Sequence, residues 1–341
     1  MRIVKKLRQF WLWLESVFQL RWLTWLIGSL VVLLTGICVI QPEIPFIRWI
    51  STQTVQILLT WLVIGVGFLL LRAKNLSFVS LAGCGILCLF LKNASNITLN
   101  APDPVLDSKA HFTLLHMNMS AFQENVDSSL STICDLDKDI LIFQEFTPQW
   151  FAHVKGRFDS LYNYSFEFTR MDDYGQMIYS KYPIIQKDTF FVHEVPVAKL
   201  KLKINEEYEL TLLSHYNLPP LTDSYKQTSK LVFGKLSEII SQTEEPLLYA
   251  GTLNYVAWDN EMVKFRYNSL LRDSRRGFFP SVYDGRLSIF DYPVDHIFYN
   301  QFLDCIQFKK IENSDNKKIG IRGEYQMKTH EQVFRGTDSS D

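Results

Sequence analysis

The sequence is poor in the residues that define several classes of protein. With only 5 Cys in 341 residues, it is not a small scaffold held together by disulfides. With 15 Gly and 12 Pro it is not collagen-like, and an aromatic content of 14% excludes an intrinsically disordered chain. The formal net charge is only -1. By composition alone, the chain is one large soluble enzyme or two modest domains.

Acidic residues are almost absent from the first 100 positions, which contain Glu15, Glu43 and nine Lys or Arg, a net charge of +7. The remaining 241 residues contain 26 basic and 34 acidic residues, a net charge of -8. Three runs in the first part lack charge altogether, namely 22–40, 54–71 and 76–91. Since about 20 apolar residues cross a bilayer, we predict three transmembrane helices. A buried soluble helix or a cleaved signal peptide is disfavoured, because three such runs follow one another.

Lys and Arg indicate the orientation of this membrane region. The N-terminal tail and the 72–75 turn are basic, whereas the 41–53 loop contains only Arg48. Because cytoplasmic segments carry the excess of Lys and Arg, we predict that the tail and the turn are cytoplasmic and that everything after Lys92 is extracytoplasmic. Residues 1–21 combine basic and aromatic side chains, which indicates either an amphipathic helix on the inner surface or an extension of the first span.

The rest of the chain has the pattern of a globular domain. Residues 92–109 lack apolar periodicity and predict a linker, and 331–341 predict a flexible tail. Residues 110–330 alternate short β-type runs with helical stretches, which predicts one mixed α/β domain. A disulfide between Cys134 and Cys305 stays open at this stage. Polar residues that could form a site follow several predicted strands: Asn118, Glu145, His215, Asn254 and Asp295.

Six blocks within residues 110–330 resemble, in order, those of the endonuclease/exonuclease/phosphatase superfamily, the deoxyribonuclease-I-like fold. The blocks are HMNM at 116–119, DILIFQE at 139–145, GQMIYSKYPI at 175–184, SHYNLPP at 214–220, AGTLN at 250–254 and YPVDHIF at 292–298. The resemblance implies a four-layer α/β sandwich, two packed β-sheets flanked by helices, and a phosphoesterase that usually uses Mg²⁺. The Pro-Pro pair is familiar from bacterial members with membrane helices in front, which implies a bacterial inner (plasma) membrane.

The same resemblance implies roles for individual residues. Glu145 would hold the metal, and Asn118 would help to set the metal and phosphate site. His215 would donate a hydrogen bond to the phosphate, Asn254 would orient it, and Asp295 would orient a catalytic His. These residue types suit the chemistry, because Mg²⁺ prefers oxygen ligands and neutralises charge developing on a phosphodiester.

Two positions depart from the family pattern. Thr252 stands where the family has an Asp that aligns or deprotonates the attacking water, and a Thr hydroxyl is no carboxylate base. A final Ser-Asp-His block is not found. Its nearest match is Gly323-Glu324-Tyr325, in which Glu324 could replace the Asp and Tyr325 the His; His330 would need a shifted register. Since general acid–base catalysis contributes about 10²–10⁴-fold, we predict impaired hydrolysis.

Three alternatives to an impaired hydrolase stay open. One is an active membrane-anchored phosphoesterase, favoured by the five family positions that are suitably occupied. The second is a catalytically silent relative that binds a phosphate-bearing ligand or a partner protein, and the third is a structural spacer. A nuclease should present positive charge to its substrate, so the charge of -8 argues against tight nonspecific nucleic-acid binding. We therefore expect a phosphate-containing small molecule or lipid near the outer membrane surface.

Overall fold

The computed structural model describes residues 2–18, 20–95, 102–104, 111–122, 126–277 and 292–328. The chain divides into two compact units, Met1–Ser95 with Trp258–Asn260, and Asn96–Ala257 with Glu261–Asp341. Most of the predicted linker lies outside the described residues, as do His330 and the predicted tail.

The first unit is helical where the structure describes it. Its helices are α1 (Arg2–Phe18), α2 (Arg21–Ile40), α3 (Pro45–Thr52), α4 (Thr54–Leu70) and α5 (Lys74–Ala94). Helices α2 and α5 are long and apolar enough to cross a membrane, whereas α4 is apolar but has only 17 residues. These lengths do not test whether any helix crosses a membrane, so all three spans stay predictions, and α3 occupies part of the segment that we expected to be a loop.

Small and polar side chains bring α2, α4 and α5 close together. A Cβ atom at Gly83 of α5 would lie 3.0 Å from Oγ1 of Thr35 in α2. Trp61 Nε1 of α4 donates a hydrogen bond to the same Thr35 hydroxyl at 3.2 Å, and Ser77 Oγ donates to the Gly65 carbonyl at 2.9 Å. Close approach at small residues and hydrogen bonds between helices are typical of apolar helix packing.

The second unit contains twelve strands and four α-helices among its described residues. The strands are β1 (His111–Asn118), β2 (Ile140–Gln144), β3 (Tyr164–Phe168), β4 (Gln176–Ser180), β5 (Ile184–Val192), β6 (Val195–Lys203), β7 (Glu209–Ser214), β8 (Leu247–Thr252), β9 (Arg272–Asp273), β10 (Asp295–Tyr299), β11 (Leu303–Glu312) and β12 (Lys318–Met327). The helices are α6 (Val126–Leu136), α7 (Pro148–Phe158), α8 (Asp223–Ser241) and α9 (Asn260–Ser269), with a 3-10 turn at Met119–Phe122.

Two mixed sheets pack face to face with helices on their outer faces. The strand order is β11-β12-β1-β2-β4-β3 in the first sheet and β5-β6-β7-β8-β10-β9 in the second. Leu114 and Ile142 of the first sheet share a buried core with Leu212 and Ile297 of the second. Helices α6 and α7 cover the first sheet, and α8 and α9 cover the second. The α/β fold with two packed sheets is confirmed and is consistent with a four-layer sandwich.

The strand pairing brings the ends of several strands together. β1 is parallel to β2, which places Asn118 beside Gln144 at the point where both strands end. β7 is parallel to β8, and β10 runs antiparallel to β8 so that Asp295, its first residue, faces Thr252, the last residue of β8. Residues from both sheets can therefore meet at one edge.

Candidate active site

Glu145 follows β2 directly and has an unusual backbone conformation. Its φ of 55° lies in the left-handed region, which residues other than Gly rarely adopt and which recurs at functional sites. The neighbouring chain passes very close, because Phe146 N donates to the Gly175 carbonyl at 3.0 Å. A Cβ atom at Gly175 would lie only 2.0 Å from the Phe146 carbonyl oxygen. The glycine of the third block is therefore required where the chain turns at Glu145.

The Glu145 carboxylate is surrounded by neutral donors and one further acid. Asn118 Nδ2 donates to Glu145 Oε1 at 2.6 Å, and Tyr216 and Ser120 also form hydrogen bonds to the carboxylate. Burial raises the pKa of Glu145, and the negative charge of Asp173 raises that pKa further, whereas the hydrogen bonds oppose the rise. The carboxylate is thus held in place while the burial of its charge is only partly compensated.

Asn118 holds this carboxylate with its amide nitrogen. Its Oδ1 accepts from the Ser120 backbone N at 2.9 Å and from Ser120 Oγ at 2.7 Å. The same Nδ2 that binds Glu145 lies 3.3 Å from Thr252 Oγ1. The Asn118 side chain thus positions the Glu145 carboxylate, and its oxygen is hydrogen-bonded to Ser120. Its role towards a metal stays a prediction.

Thr252 is committed to the neighbouring acid. Its hydroxyl donates to Asp295 Oδ1 at 2.6 Å, and both side chains are buried. A neutral hydroxyl is far too weak a base to take a proton from water at neutral pH, whereas a carboxylate can do so. The position that carries the water-activating Asp in the family therefore contains a group that completes the hydrogen bonding of Asp295.

Gln144 joins the two sheets beneath the site. Its Oε1 accepts from the Thr252 backbone N at 2.7 Å and lies 3.1 Å from His116 Nε2. Its Nε2 donates to Ser214 Oγ at 3.0 Å, and the residue is fully buried. One amide thus connects the ends of β1, β2, β7 and β8. Gln144 was not among the predicted site residues, although the Gln-Glu pair of the second block is its signal.

His215 does not face the site, contrary to the prediction. Its Nδ1 lies 2.7 Å from the Tyr249 hydroxyl, its ring stacks on that of Tyr249, and Phe233 meets it edge-on. Burial lowers the pKa of His215 to about 3, so the ring is neutral at physiological pH. The predicted phosphate donor is therefore a side chain of the layer between β7, β8 and α8.

Tyr216, the next residue, lies in the site where His215 was expected. Its hydroxyl forms hydrogen bonds with Glu145 and Asn254. Burial and the Glu145 charge raise the pKa of Tyr216, so it stays protonated. Asn254 lies in the same site, with φ of 56° and its Nδ2 donating to the Asn217 carbonyl at 2.7 Å. Successive side chains of an extended segment point to opposite sides, so an error of one residue exchanges a site residue for a core residue.

Glu324 and Tyr325 lie inside β12 and not in a loop at the site, which corrects the prediction for both. Tyr325 pairs with Phe112, six residues before Asn118 in β1. At about 3.3 Å per residue, that separation is roughly 20 Å. The Tyr325 ring is fully buried and stacks on Phe112, and its hydroxyl lies 2.8 Å from Ser274 Oγ. It is a core residue between the sheets.

The turn before β12 lies at the correct end of the sheet, because Gly320 pairs with Met117 near the end of β1. This turn contains Ser314-Asp315-Asn316, which begins like the missing Ser-Asp-His block and has Asn where that block has His. The Ser-Asp pair directly before the last strand was the signal that the sequence analysis overlooked. An Asn side chain has no titrating imidazole, so this position cannot supply one.

The residues around Glu145 fit a hard divalent cation. Mg²⁺ typically takes one or two carboxylates and completes its shell with water and phosphate oxygens. Gln176 lies opposite Gln144 on β4, and both of its buried amide atoms lack a partner among the described residues, which leaves polar capacity for a ligand. The described residues contain no cluster of three or more His, Cys, Asp or Glu side chains. Glu145 would therefore be the principal protein ligand.

Comparisons with known proteins agree with this fold. The model of the Endonuclease/Exonuclease/phosphatase family matches residues 99–315. A humanized TDP2 of D. rerio is 13% identical with a TM-score of 0.52, over 64% of this chain and 100% of that chain. An endonuclease/exonuclease/phosphatase of Bacteroides vulgatus is 15% identical with a TM-score of 0.53, over 64% and 99%.

A third solved structure is that of ANGEL2, a 2',3'-cyclic phosphatase in complex with adenosine-2',3'-vanadate. It is 12% identical to this chain with a TM-score of 0.52, over 64% of this chain and 96% of that chain. A comparison with curated protein sequences gives no significant match. At these identities, the structural likeness shows the fold alone.

Proposed function

Because the chain belongs to the endonuclease/exonuclease/phosphatase family, we propose that it is a membrane-anchored, metal-dependent phosphoester hydrolase whose hydrolytic rate is impaired. The observation that carries the proposal is the 2.6 Å hydrogen bond from the Thr252 hydroxyl to Asp295. A group that orients a buried acid replaces the group that activates water in the family. In this proposal the chain still binds the metal and the phosphate group, but it accelerates the hydrolytic step less.

The surrounding side chains support a retained binding site. Glu145 would hold the Mg²⁺ ion, which neutralises charge on the phosphate when it is bound. Asn118 and Tyr216 hold the Glu145 carboxylate in place through hydrogen bonds, so this metal-binding side chain is preorganised. Asn254, held on the Asn217 carbonyl, would orient the phosphate group. None of these steps requires a proton transfer by Thr252.

The charge around the site favours a small substrate. Asp173 adds negative charge beside Glu145, and Asp172 of the same loop forms an ion pair with Arg170. Residues 101–341 sum to -8, so a polyanionic nucleic-acid backbone would be repelled. We therefore propose a phosphate-containing small molecule or lipid as the ligand.

The alternative function is a catalytically silent phosphate-binding protein. The observation that favours it is the simultaneous loss of two groups, the Asp at position 252 and the His at position 316 of the last block. General acid–base catalysis contributes about 10²–10⁴-fold in rate, so the loss of these groups favours a chain that binds phosphate without hydrolysing it.

Hydrolysis of bis(p-nitrophenyl) phosphate by the full chain in detergent, with Mg²⁺ or EDTA, tests both functions. Glu145→Gln is the matched variant, because it keeps the shape and removes the charge. Slow Mg²⁺-dependent hydrolysis that Glu145→Gln abolishes supports the impaired hydrolase. Thermal stabilisation by Mg²⁺ and phosphate without hydrolysis, also lost in Glu145→Gln, supports the silent binder. Absence of both effects supports the structural spacer.

Anchoring by α2, α4 and α5 is a separate part of the proposal. It is supported by the length and apolar character of α2 and α5 and by the basic residues of the N-terminal part. We propose a bacterial inner membrane, a cytoplasmic N-terminus and an extracytoplasmic second unit. In spheroplasts, external protease should digest the second unit and spare α1. Protection of the second unit would contradict this orientation, and extraction by alkaline carbonate would contradict the anchoring.

A further inference from the structure

We propose that the first unit binds one anionic phospholipid in a groove between the start of α2 and the turn that joins α4 to α5. The groove has a volume of about 940 Å³. This inference rests on the proposed membrane anchoring, because a phospholipid reaches the groove only from a bilayer. It assigns to the first unit a recognition function that is independent of the phosphoester site.

The part of the groove at the helix starts is positively charged. Arg21, Arg72 and Lys74 line it, and its described lining residues include no Asp or Glu. Arg21 begins α2, Lys74 begins α5, and Arg72 lies in the intervening turn with φ of 57°. Three cations from two chain segments thus line one groove, which suits a phosphate group that accepts hydrogen bonds from several donors at once.

Two helix starts add to this positive character. The N-cap residues of α2 and α5 are Leu20 and Ala73, and neither helix receives a side-chain cap among the described residues. The first backbone N–H groups of a helix have no partner within the helix, and the helix dipole is positive at that end. Since the first turns of both helices line the groove, an anion placed there would meet donors from two helices.

Further along the two helices, the lining changes to apolar side chains. Trp25, Val32 and Leu33 of α2 line the groove and are 75%, 63% and 59% exposed. Gly28 lies among them, and a Cβ atom there would meet nothing within 4 Å. Val79 of α5 also lines the groove. A free phosphate ion would leave this apolar surface uncovered, whereas the acyl chain of a phospholipid covers it.

The predicted orientation identifies the leaflet. The N-terminal tail and the turn that carries Arg72 and Lys74 are the basic, cytoplasmic segments of the sequence. The groove would therefore open to the inner leaflet, whose anionic lipids attract basic residues near the membrane surface. The ligand class is thus an anionic glycerophospholipid.

Native mass spectrometry of the full chain in detergent tests the lipid site, with phosphatidylglycerol and phosphatidylcholine of identical acyl chains as probes. We expect one phosphatidylglycerol to be retained in preference to phosphatidylcholine. Arg72→Gln and Lys74→Gln should each weaken its binding about fivefold. Lys92→Gln removes one cation from the last turn of α5 and should leave binding unchanged.

A second pair of variants tests the groove without changing charge. Gly28→Leu fills the groove and should abolish the lipid preference. Gly36→Leu is the matched control, because Gly36 is also in α2 with open space around its Cβ position but does not line the groove. Thermal melting of both variants checks that they fold.

Several results would overturn the proposal: equal retention of both lipids, equal binding by the two leucine variants, or displacement of phosphatidylglycerol by millimolar inorganic phosphate. The last result would indicate a site for a soluble anion. Carbonate extraction of membranes separates this failure from that of the anchoring. A chain that resists extraction but shows no lipid preference refutes the lipid site alone, whereas an extracted chain refutes the anchoring.

Discussion

Replacing Thr252 by Asp restores the residue type of the family and tests the arrangement around Asp295 directly. The Thr252 hydroxyl lies 2.6 Å from Asp295 Oδ1, so the new carboxylate would face a buried acid at about 4 Å. At an effective dielectric constant of about 20, two such charges repel by about 4 kcal/mol. For a domain of this size, that free energy corresponds to a fall in Tm of roughly 10 °C without metal.

The pH dependence of this effect has a defined sign. Repulsion raises the pKa of one of the two carboxyl groups above its ordinary value of about 4. The folded state then binds more protons than the unfolded state, so stability falls as pH rises through this raised pKa. Thr252→Asp should therefore melt close to the parent at pH 4 to 5 and well below it at pH 8. Mg²⁺ should restore much of the loss, because a divalent ion neutralises the pair.

Differential scanning fluorimetry at several pH values, with Mg²⁺ or EDTA, measures this prediction. Thr252→Asn is the control, because Asn has the shape of Asp without its charge. If the other site residues are competent, Thr252→Asp should also raise Mg²⁺-dependent phosphodiester hydrolysis by about 10²-fold, whereas Thr252→Asn should not. Identical pH and Mg²⁺ responses of the two variants would refute the placement of residue 252 against Asp295.

Three further predictions concern stability and reactivity. Glu145→Gln removes a buried carboxylate whose pKa is raised, so the metal-free Tm of the variant should exceed that of the parent at pH 7. This gain should vanish as pH falls below about 4, where the carboxyl group of the parent is neutral. Equal Tm values at pH 7 would contradict the conclusion that the burial of this charge is only partly compensated. Gly175→Ala should destabilise by about 3 kcal/mol in urea titration because its Cβ would meet the Phe146 carbonyl at 2.0 Å, whereas Gly234→Ala, inside α8 with open space, should stabilise by about 0.5–1 kcal/mol. The Cys305 thiol is buried and its pKa is raised to about 12, so it should react with a disulfide reagent at pH 8 only on unfolding; rapid labelling of the native protein, absent in Cys305→Ser, would contradict this.

Much of the second unit could be predicted from the sequence because its blocks mark strand ends. The blocks that end at Asn118, Glu145 and Asn254 combine an apolar run with a polar residue, and the structure brings these three side chains into one site. The apolar run predicts a strand buried in a sheet, and the polar residue after it predicts the end of that strand, at the edge of the sheet. Chain order then constrains the topology strongly.

The errors arose where a prediction depended on direction or register. His215 and Tyr216 are adjacent, and only the path of the chain after β7 decides which of them faces the site. Gly323-Glu324-Tyr325 was matched to the final block because the β11–β12 turn at 313–317, which contains Ser314-Asp315-Asn316, was not recognised. Cys134 and Cys305 are both free thiols in the structure, so the disulfide that the sequence left open is not formed. A sequence pattern predicts which residues are buried and in which order the elements follow, but it does not predict the side to which an individual side chain points.

Gln144 has a consequence for how such a site can change. Its amide oxygen accepts a hydrogen bond from the Thr252 backbone N–H and contacts His116, and its amide nitrogen donates to Ser214. None of these bonds involves a ligand. The position of Glu145, the next residue, therefore depends on interior contacts that take no part in catalysis. Substitutions that remove a proton acceptor at the surface of the pocket leave this internal frame intact. The shape of an ancestral active site can thus outlast its chemistry, and a receptor can be derived from an enzyme without rebuilding the fold.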